Sequence, residues 1–314
     1  MSYGLPLVTI VALCYNHYDY LTETLDSILN QEYENLEVII VDDFSKDDSV
    51  ELIENWLSKE TLSWSFIRHE VNWGICKSLN ETLDIANGKY FKIIACDDLM
   101  MPNFISTMVE RFELLQEEYA MIYSDVQTIN ENSEAFGLTP FVERGWDTEE
   151  KVPSGELFDQ LAGSCFIPAP STLLRTRVLQ EIRFDESLII EDWDMWLQIA
   201  KRYKIKGISE AMIHYRIHQA SMFQKKSPIF RDHELRTVKK HMNYSSIADI
   251  AIKDFIYRNS MLSFLNNGDR LGYWLWQRFL IKPNFSNLFH AVLANIGISY
   301  DTKRKFEQKW IGIQ

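Results

Sequence analysis

Hydrophobic and polar positions follow two patterns in the first half of the chain. The continuous apolar runs LVTIVALCY, LEVIIVDD and KYFKIIACDD are typical of strands covered on both faces. Between them, stretches such as DYLTETLDSILNQ place leucine and isoleucine on one helical stripe, with Asp19 as N-cap. A further helix, GICKSLNETLDIANG, is predicted to end at Gly88. The pattern predicts an α/β fold, a Rossmann-like, mostly parallel sheet with helices on both faces.

The pattern changes twice further along the chain. Residues 130–155 are polar and loop-like, after which apolar structure resumes with EDWDMWLQIAKRY as a helix and AMIHYRIH as a strand. The last part of the chain is helical throughout. We therefore predict a domain over residues 1–225, with halves of about 1–125 and 126–225, and a helical C-terminal extension over 226–314.

Composition and charge exclude several classes of function. The 314 residues carry a net charge of −13, so the basic face that a nucleic-acid groove needs is not expected. That charge also argues against binding anionic lipid through the whole surface, although a local patch remains open. No apolar run reaches the roughly 18 residues of a membrane span. The cysteines form no CxxC pair, which argues against a zinc site and favours a cytoplasmic protein.

Polar groups follow three of the buried strands at their carboxyl ends. They are CYN at 14–16, DD at 42–43 and CDD at 96–98. In parallel sheets the ligand lies beyond this edge, so we expect the three stretches to line one crevice. No GxGxxG follows the first strand, so the dinucleotide fingerprint is missing.

The pair Asp97 and Asp98 ends a fully apolar strand shortly before Pro102. Capping the next helix is the ordinary use of such a pair. A carboxylate against an apolar interior is costly unless something pairs with it. Hard oxygen ligands suit Mg²⁺ or Mn²⁺ held together with phosphate oxygens. One aspartate can then take the metal while its neighbour accepts from a sugar hydroxyl.

Two further strand-end groups leave alternatives open. Asp42 and Asp43 either cap the following helix or offer a carboxylate to a nucleobase N–H, which gives sharp base discrimination. Tyr15 is either an ordinary half-buried tyrosine or a stacking face for that base.

Two charged clusters lie in the second half of the predicted domain. In IIEDWDMW, acidic residues complement the start of a helix, and Asp192, flanked by tryptophans, is a candidate general base. In HYRIH, strand alternation places His214, Arg216 and His218 on one face, as a structural set or a phosphate- or metal-facing one. Single cations that could meet a phosphate are Arg68, Lys77, Lys225 and Lys226.

Five stretches in order resemble the family 2 glycosyltransferases with the GT-A fold. They are VTIVALCYNHYDYLTETLDSILNQ, LEVIIVDDFSKDDS, NWGICKSLNETLDIANGKYFKIIACDD, PAPSTLLRTRVL with RFDESLIIEDWDMWLQIA, and HYRIHQASM. The resemblance covers roughly residues 5–225. It implies a nucleotide-diphosphosugar donor, with a UDP-sugar favoured, a divalent metal (Mn²⁺ or Mg²⁺) and inversion at the anomeric carbon. The first half would bind the nucleotide sugar and the second half the acceptor.

The resemblance also assigns the donor-binding residues. Tyr15 and Asp43 would hold the base, and Asp97 the ribose. Lys77 would neutralise the departing diphosphate. Leu79 stands where relatives often carry arginine, which removes one expected phosphate contact.

The metal ligands and the base are likewise implied by the resemblance. Asp98 would be the main metal ligand, His218 would lie near the metal or pyrophosphate, and Asp192 would be the catalytic base. The acidic residue usual two places before Asp97 is Ala95 here, a shortened form of the metal motif. No QxxRW motif follows, which favours transfer of one sugar per encounter.

The acceptor is expected to be a hydroxyl of a glycan or of a lipid-linked oligosaccharide, and the pathway O-antigen (lipopolysaccharide) or capsule biosynthesis, by family analogy. Two alternatives remain. A catalytically inactive nucleotide-sugar-binding or scaffold protein is disfavoured by the intact Asp98 and Asp192. A sugar nucleotidyltransferase would need a glycine-rich basic loop near the N-terminus, which is absent.

The aromatic stretch Gly272 to Ile298, with Arg278 and Lys282 interspersed, also has two interpretations. Its helices either pack on the first domain or on a second copy in a homodimer, or they meet a lipid-linked acceptor at the inner face of the cell membrane. The usual preference of amphipathic helices for a core favours packing.

Overall fold

A computed structural model describes the chain over residues 4–59, 64–219, 221, 227–265 and 271–295. The chain divides into two compact units. One comprises Met1–Leu157 with Phe166–Ser221, and the other comprises Phe158–Cys165 with Met222–Gln314. The domain boundary predicted at residue 225 stays a prediction.

The first unit is built on one eight-stranded sheet in the order β3-β2-β1-β4-β7-β6-β8-β5. Its strands are β1 (Val8–Cys14), β2 (Leu36–Asp42), β3 (Ser65–Arg68), β4 (Tyr90–Ala95), β5 (Leu99–Met100), β6 (Tyr119–Ile129), β7 (Thr172–Arg175) and β8 (Lys204–Arg216). Strands β3, β2, β1 and β4 run parallel, as do β6 and β8, whereas β7 and β5 run antiparallel to their neighbours. The predicted α/β fold with a mostly parallel sheet is confirmed.

Helices of this unit cover the sheet and bury their apolar stripes on it. They are α1 (Tyr18–Leu29), α2 (Ser49–Lys59), α3 (Ile75–Ile85), α4 (Phe104–Glu113), the single turn α5 (Pro140–Glu143), α7 (Thr176–Ile182) and α8 (Asp192–Ala200). The single turn α6 (Phe158–Leu161) belongs to the second unit. All seven residues of β1 are buried, as expected for a continuous apolar run between two helical layers. In α1, Leu21, Leu25 and Ile28 form the buried stripe.

Two local predictions about helix ends are wrong. His17, not Asp19, occupies the N-cap of α1, and Asp19 lies in the first turn. Helix α3 ends at Ile85, so Gly88 does not cap it. Gly88 instead lies against β1, where a Cβ would come within 2.4 Å of the Thr9 nitrogen. The glycine is required by close backbone approach, which a helix-end pattern does not reveal.

The described part of the C-terminal segment is helical, as predicted. Its helices are α9 (Pro228–Lys240), α10 (Ser246–Leu265), α11 (Leu271–Ile281) and α12 (Phe285–Asn295). Across the described ranges, none of the helices combines the length and the apolar character needed to cross a membrane.

Candidate active site

The carboxyl ends of four parallel strands bring the predicted donor-binding groups to one edge of the sheet. Tyr15 follows β1, Asp43 follows β2, Asp97 follows β4, and His218 lies two residues beyond β8. We call these four residues the strand-end site. Their shared location follows from strand direction, because the carboxyl ends of parallel strands meet at the same edge.

Asp97 is the most strongly contacted group of the strand-end site. Its Oδ2 lies 3.0 Å from Nε2 of His218 and 3.7 Å from Nε2 of His17. Burial alone would raise the pKa of Asp97, but the His218 hydrogen bond and the two imidazoles together lower it. Asp97 is therefore a carboxylate, held between two histidines that follow different strands.

Asp98 has a different environment from its neighbour. It is only 3% exposed, and its Oδ1 accepts a hydrogen bond of 2.9 Å from the backbone N–H of Arg216. Burial and the adjacent Asp97 charge raise its pKa well above the usual range. A bound metal ion would itself favour the ionised carboxylate, so this shift does not decide between the two aspartates as metal ligands. The side chain of Asp97 is the more accessible, at 15% exposed, and the metal role predicted for Asp98 stays a prediction.

The buried Lys92 of β4 lies within electrostatic range of Asp98. Its ammonium donates to the Ile93 carbonyl at 2.9 Å and to the Pro170 carbonyl. Burial lowers the pKa of Lys92 to about 7, and the Asp98 charge offsets only part of that effect. The sequence analysis missed this residue, although a lysine inside an otherwise apolar strand was a visible signal.

Arg216 organises the loops around the strand-end site and does not face a ligand. Its buried guanidinium donates to the Asp97 carbonyl at 2.8 Å, to the Asn130 carbonyl at 3.2 Å and to Ser133 Oγ at 2.9 Å. It also pairs with Glu23 at 2.7 Å. Of the HYRIH residues, His218 contacts the side chain of Asp97, whereas Arg216 contacts its backbone carbonyl. Burial and the Arg216 charge lower the pKa of His214, which lies in β8.

Asp43 fastens the loop that precedes α3. Its Oδ1 accepts from the Trp73 N–H at 2.7 Å and contacts His69 Nδ1 at 2.8 Å, and its Oδ2 accepts from the Gly74 N–H at 2.8 Å. His69 in turn lies 2.9 Å from Glu81 and stacks on Trp73. Both capping and ligand binding were open for this aspartate. These contacts lie in the loop that precedes α3 and not in α2, the helix that the capping alternative named, and the base-binding role stays a prediction.

The neighbouring loops present Tyr15 and shield Asp42. Tyr15 is 45% exposed beside Asn16, whose positive φ turns the chain and whose Oδ1 accepts from the Lys46 N–H at 2.7 Å. Asp42 is fully buried, and its Oδ1 accepts from the Ser45 N–H at 2.9 Å. Tyr15 therefore offers an open ring face, as stacking requires.

Asp192 is the first residue of α8, where its Oδ1 accepts from the Trp193 N–H at 2.6 Å. Burial and the Asp192 charge raise the pKa of the adjacent Glu191 to about 8. Burial raises the pKa of Tyr215 in β8, and the charges of the Asp97–Asp98 pair and of the Glu191–Asp192 pair raise it further. Both acidic pairs therefore act electrostatically on this phenol.

The predicted phosphate partners are spread over the unit. Lys77 is exposed on the first turn of α3, with Nζ 3.9 Å from the centre of the Trp73 ring. Arg68 is exposed at the end of β3. Lys225 and Lys226 lie outside the described residues. Trp73 lies in the loop that Asp43 fastens, and Lys77 packs on Trp73, so any phosphate contact of Lys77 depends on the position of that loop.

The metal that the resemblance implies would need ligands besides protein side chains. In the part of the chain that the structure describes, no three His, Cys, Asp or Glu side chains form a metal-binding group. Asp97 and His218 supply one carboxylate and one imidazole, which leaves positions for phosphate oxygens and water. The residues fit a metal bound together with a diphosphate, not a metal held by the protein alone.

A cavity of about 270 Å³ lies at the opposite edge of the sheet, where β4 begins and β7 ends. Its lining includes Gly88, Lys89 and Arg175, and it contains none of the predicted site residues. We place the active site at the carboxyl edge despite this cavity, because the acidic pairs and the histidines converge there.

Comparisons with known proteins agree with the fold and define the family. The model of "Glycosyl transferase family 2" matches residues 9–183, which is more than half of the chain. A glycosyltransferase of Methanocaldococcus jannaschii is 30% identical over 243 residues, 76% of this chain and 77% of the relative. One of Rickettsia prowazekii is 29% identical over 221 residues, 68% of this chain and 65% of the relative. The chain belongs to glycosyl transferase family 2, and it is a glycosyltransferase.

Solved structures extend the likeness of fold. S. aureus TarS 1-349 in complex with UDP-GlcNAc matches with a TM-score of 0.59 and 17% identity, covering 92% of this chain and 79% of TarS. The mannosyltransferase PcManGT from Pyrobaculum calidifontis, in complex with GDP-Man and Mn²⁺, matches with a TM-score of 0.62 and 14% identity, covering 96% and 83%. The predicted GT-A fold is thereby confirmed.

Proposed function

We propose that this glycosyltransferase moves one sugar from a nucleotide-diphosphosugar to a hydroxyl of a glycan or lipid-linked acceptor, with inversion. The observation that carries the proposal is that Asp97 and His218 meet 3.0 Å apart at the carboxyl edge of the sheet, in a chain that belongs to glycosyl transferase family 2. A donor held at Asp97 would present its anomeric carbon toward a base from α8. The sugar nucleotides bound by TarS and PcManGT support a donor of this class.

The donor would lie along the strand-end site. The exposed ring of Tyr15 would offer a stacking face for the base, and the loop of residues 69–74 that Asp43 fastens would face the edge of the base. A uracil base, and hence a UDP-sugar, is favoured by the family resemblance. Lys77 would approach the diphosphate from α3, where a compact ammonium can neutralise the oxygens of the leaving group.

Asp97 and His218 would hold a divalent metal, Mn²⁺ or Mg²⁺. The Asp97 Oδ2 lies 3.0 Å from the His218 Nε2, so one oxygen and one nitrogen ligand are already neighbours. A bound metal neutralises the charge that develops on the departing diphosphate. Asp98 would position this pair, because it accepts a hydrogen bond from the Arg216 N–H at the start of the loop that carries His218.

Asp192 would act as the general base. It lies in the first turn of α8, where the helix N-terminus stabilises negative charge, while burial and the Asp192 charge raise the pKa of Glu191 to about 8. Asp192 would take the proton of the acceptor hydroxyl as that oxygen attacks the anomeric carbon from the face opposite the leaving group. One base suffices for a single displacement. By family analogy, the glycosylated acceptor would become part of a bacterial surface polysaccharide such as O-antigen or capsule.

Nucleotide binding and turnover of the donor test this proposal separately. The melting temperature is measured with UDP, GDP, CMP and TDP, each with and without Mn²⁺, because a ligand of the native state raises it by mass action. We expect UDP to give a metal-dependent shift. No shift with any nucleotide would contradict the proposal and favour the scaffold alternative.

Turnover is then followed as release of the nucleoside diphosphate from the matching sugar donor, with added acceptor or with water. We expect Asp192→Asn to keep the nucleotide-induced shift and to lower release at least 100-fold, in line with the usual contribution of a general base. Asp84→Asn, which alters an exposed aspartate paired with Arg183, serves as the control. An unchanged rate in Asp192→Asn would remove Asp192 from the mechanism.

A further inference from the structure

The charge of the chain is distributed very unevenly between its two units. By sequence, the second unit (Phe158–Cys165 with Met222–Gln314) contains 15 lysines and arginines against 8 aspartates and glutamates, a net charge of +7. The remainder contains 17 against 37, a net charge of −20. The overall value of −13 therefore hides a basic unit, and charge asymmetry of this kind points to an anionic partner.

The same unit exposes large apolar side chains on two neighbouring helices. Helices α11 and α12 form an antiparallel hairpin joined by residues 282–284, since Gly272 at its start lies beside Asn295 at its end. On α11, Trp276 and Leu280 are exposed at a spacing of four residues, while Trp274 and Leu275 are buried. Spacing of four puts the exposed pair on one face.

Helix α12 repeats this arrangement at the tip of the hairpin. Phe285, Phe289 and Val292 are exposed at positions i, i+4 and i+7, whereas Asn287 and Ala291 are buried. Phe285 is 83% exposed, and its ring stacks on that of Phe289. We call Trp276, Leu280, Phe285, Phe289 and Val292 the hairpin face. Exposed apolar side chains that recur along helices in this way mark an interaction surface.

Basic side chains accompany the hairpin face. The exposed Lys282 lies in the connection between the helices, where its ammonium lies 4.2 Å from the centre of the Tyr257 ring. The exposed Lys253 of α10 lines a cavity of about 270 Å³ together with Leu280 and Gln277. Aromatic and aliphatic side chains beside lysines are the composition of surfaces that bind at the interface of anionic bilayers.

We propose that the hairpin face docks on an anionic phospholipid surface. The apolar side chains enter the interface between headgroups and acyl chains, while the net positive charge of the unit attracts the negative leaflet. The net charges of the units distinguish the possible partners. Contact between the second units of two copies would bring together surfaces of like charge. Contact between the second unit of one copy and the first unit of another would need a matching apolar surface on the acidic unit. An anionic membrane satisfies both the charge and the apolar side chains.

Vesicle flotation tests the proposal on the full chain without any donor, so its outcome is independent of glycosyl transfer. The vesicles are phosphatidylcholine alone, or phosphatidylcholine with about 30 mole per cent phosphatidylglycerol. We expect binding to the second kind only, weakened at least fivefold when salt rises from about 0.1 to about 0.5 M.

Matched variants separate the hairpin face from general surface hydrophobicity. Leu280→Ser with Phe285→Ser should lower vesicle binding at least tenfold. The control, Leu138→Ser with Leu114→Ser, alters side chains of similar exposure in the first unit (62% and 82%, against 58% and 83%) and should leave binding unchanged. Lys253→Glu should weaken binding, whereas Lys59→Glu, which changes the charge of the first unit equally, should not.

Three results would overturn the proposal. The first is failure of the wild-type chain to bind anionic vesicles. The second is vesicle binding by the Leu280→Ser, Phe285→Ser variant that equals that of the wild type. The third is an equal loss of vesicle binding in the Leu138→Ser, Leu114→Ser control. Light scattering completes the test. A dimer that this variant converts to a monomer, without vesicle binding by the wild type, would assign the face to a second copy.

Discussion

The buried guanidinium of Arg216 offers a sharp test of how the strand-end site is held together. Replacing it with methionine keeps most of the volume but removes a guanidinium that donates five hydrogen bonds. The carbonyls of Asp97, Asn130 and Glu131 and the Ser133 hydroxyl each lose a donor, and Glu23 loses its ion pair. A buried acceptor left without a donor costs about 1–3 kcal/mol.

The lost hydrogen bonds do not contribute equally to the free energy of unfolding. The Glu23 side chain is 50% exposed and can turn to water, so its pair contributes less than about 1 kcal/mol. Asn130 and Ser133 lie at the surface of a loop, where water replaces part of the lost bonding. The Asp97 carbonyl bears most of the cost. We therefore expect Arg216→Met to lower the free energy of unfolding by about 3 kcal/mol.

Equilibrium urea unfolding measures the change, with Arg202→Met as the matched control. Arg202 is 56% exposed and pairs with the equally exposed Glu181, so its loss should cost less than about 1 kcal/mol. Equal effects of the two substitutions would refute the view that Arg216 fastens this site.

Two other predictions concern stability. Gly88→Ala should lower the free energy of unfolding by about 1–3 kcal/mol, because its Cβ would meet backbone atoms of Thr9 and Tyr90 at 2.4 and 2.7 Å. The control Gly4→Ala, where the Cβ would enter open space, should lower it by less than about 0.5 kcal/mol. Thermal or urea unfolding measures both variants. Glu191 binds its proton more tightly in the native state, with a pKa of about 8 against 4.5 unfolded, so its contribution is fully present below pH 4.5 and is lost as pH rises through 8. Glu191→Gln should flatten that decline when unfolding is measured between pH 5 and 9, and an unchanged slope would contradict the assignment.

Periodicity alone predicted most of the sheet and its direction. The runs that became β1, β2 and β4 are apolar at nearly every position, a pattern that only a strand between two helical layers satisfies. Strand direction then placed Tyr15 and Asp43 at one edge with no knowledge of side-chain contacts. The antiparallel insertion of β7 between β4 and β6 was not predictable, because a strand of four residues carries no information about its partner.

The site was less accessible to sequence reasoning than the fold. The order of Asp97 and Asp98 could be read, but their environments could not. Which carboxylate faces His218 and which accepts from the Arg216 backbone depends on the register between β4 and β8. The position of His17 beside Asp97 was not predicted, because a single histidine after a strand carries no spacing that indicates its partner. Lys92 and Arg216 show the opposite case, since a charge inside an apolar strand signals a buried network.

The resemblance assigns the metal to Asp98, whereas the function proposed above assigns it to Asp97. The family pattern predicts that Asp98→Ala weakens metal-dependent donor binding. The proposal rests on accessibility, because Asp97 faces His218 with a side chain 15% exposed, whereas Asp98 is 3% exposed and accepts from the Arg216 N–H. Asparagine keeps an oxygen that can accept from that N–H, so Asp98→Asn should preserve the contact, and Asp97→Asn should remove a ligand.

Calorimetric titration of UDP into the chain, with and without Mn²⁺, tests the central claim most directly when it is carried out on the wild type, Asp97→Asn and Asp98→Asn. We predict that Mn²⁺ raises the affinity of the wild type for UDP, that Asp97→Asn abolishes this gain, and that Asp98→Asn keeps it within about threefold. Loss of the gain in Asp98→Asn together with its survival in Asp97→Asn would contradict the account and return the metal to Asp98.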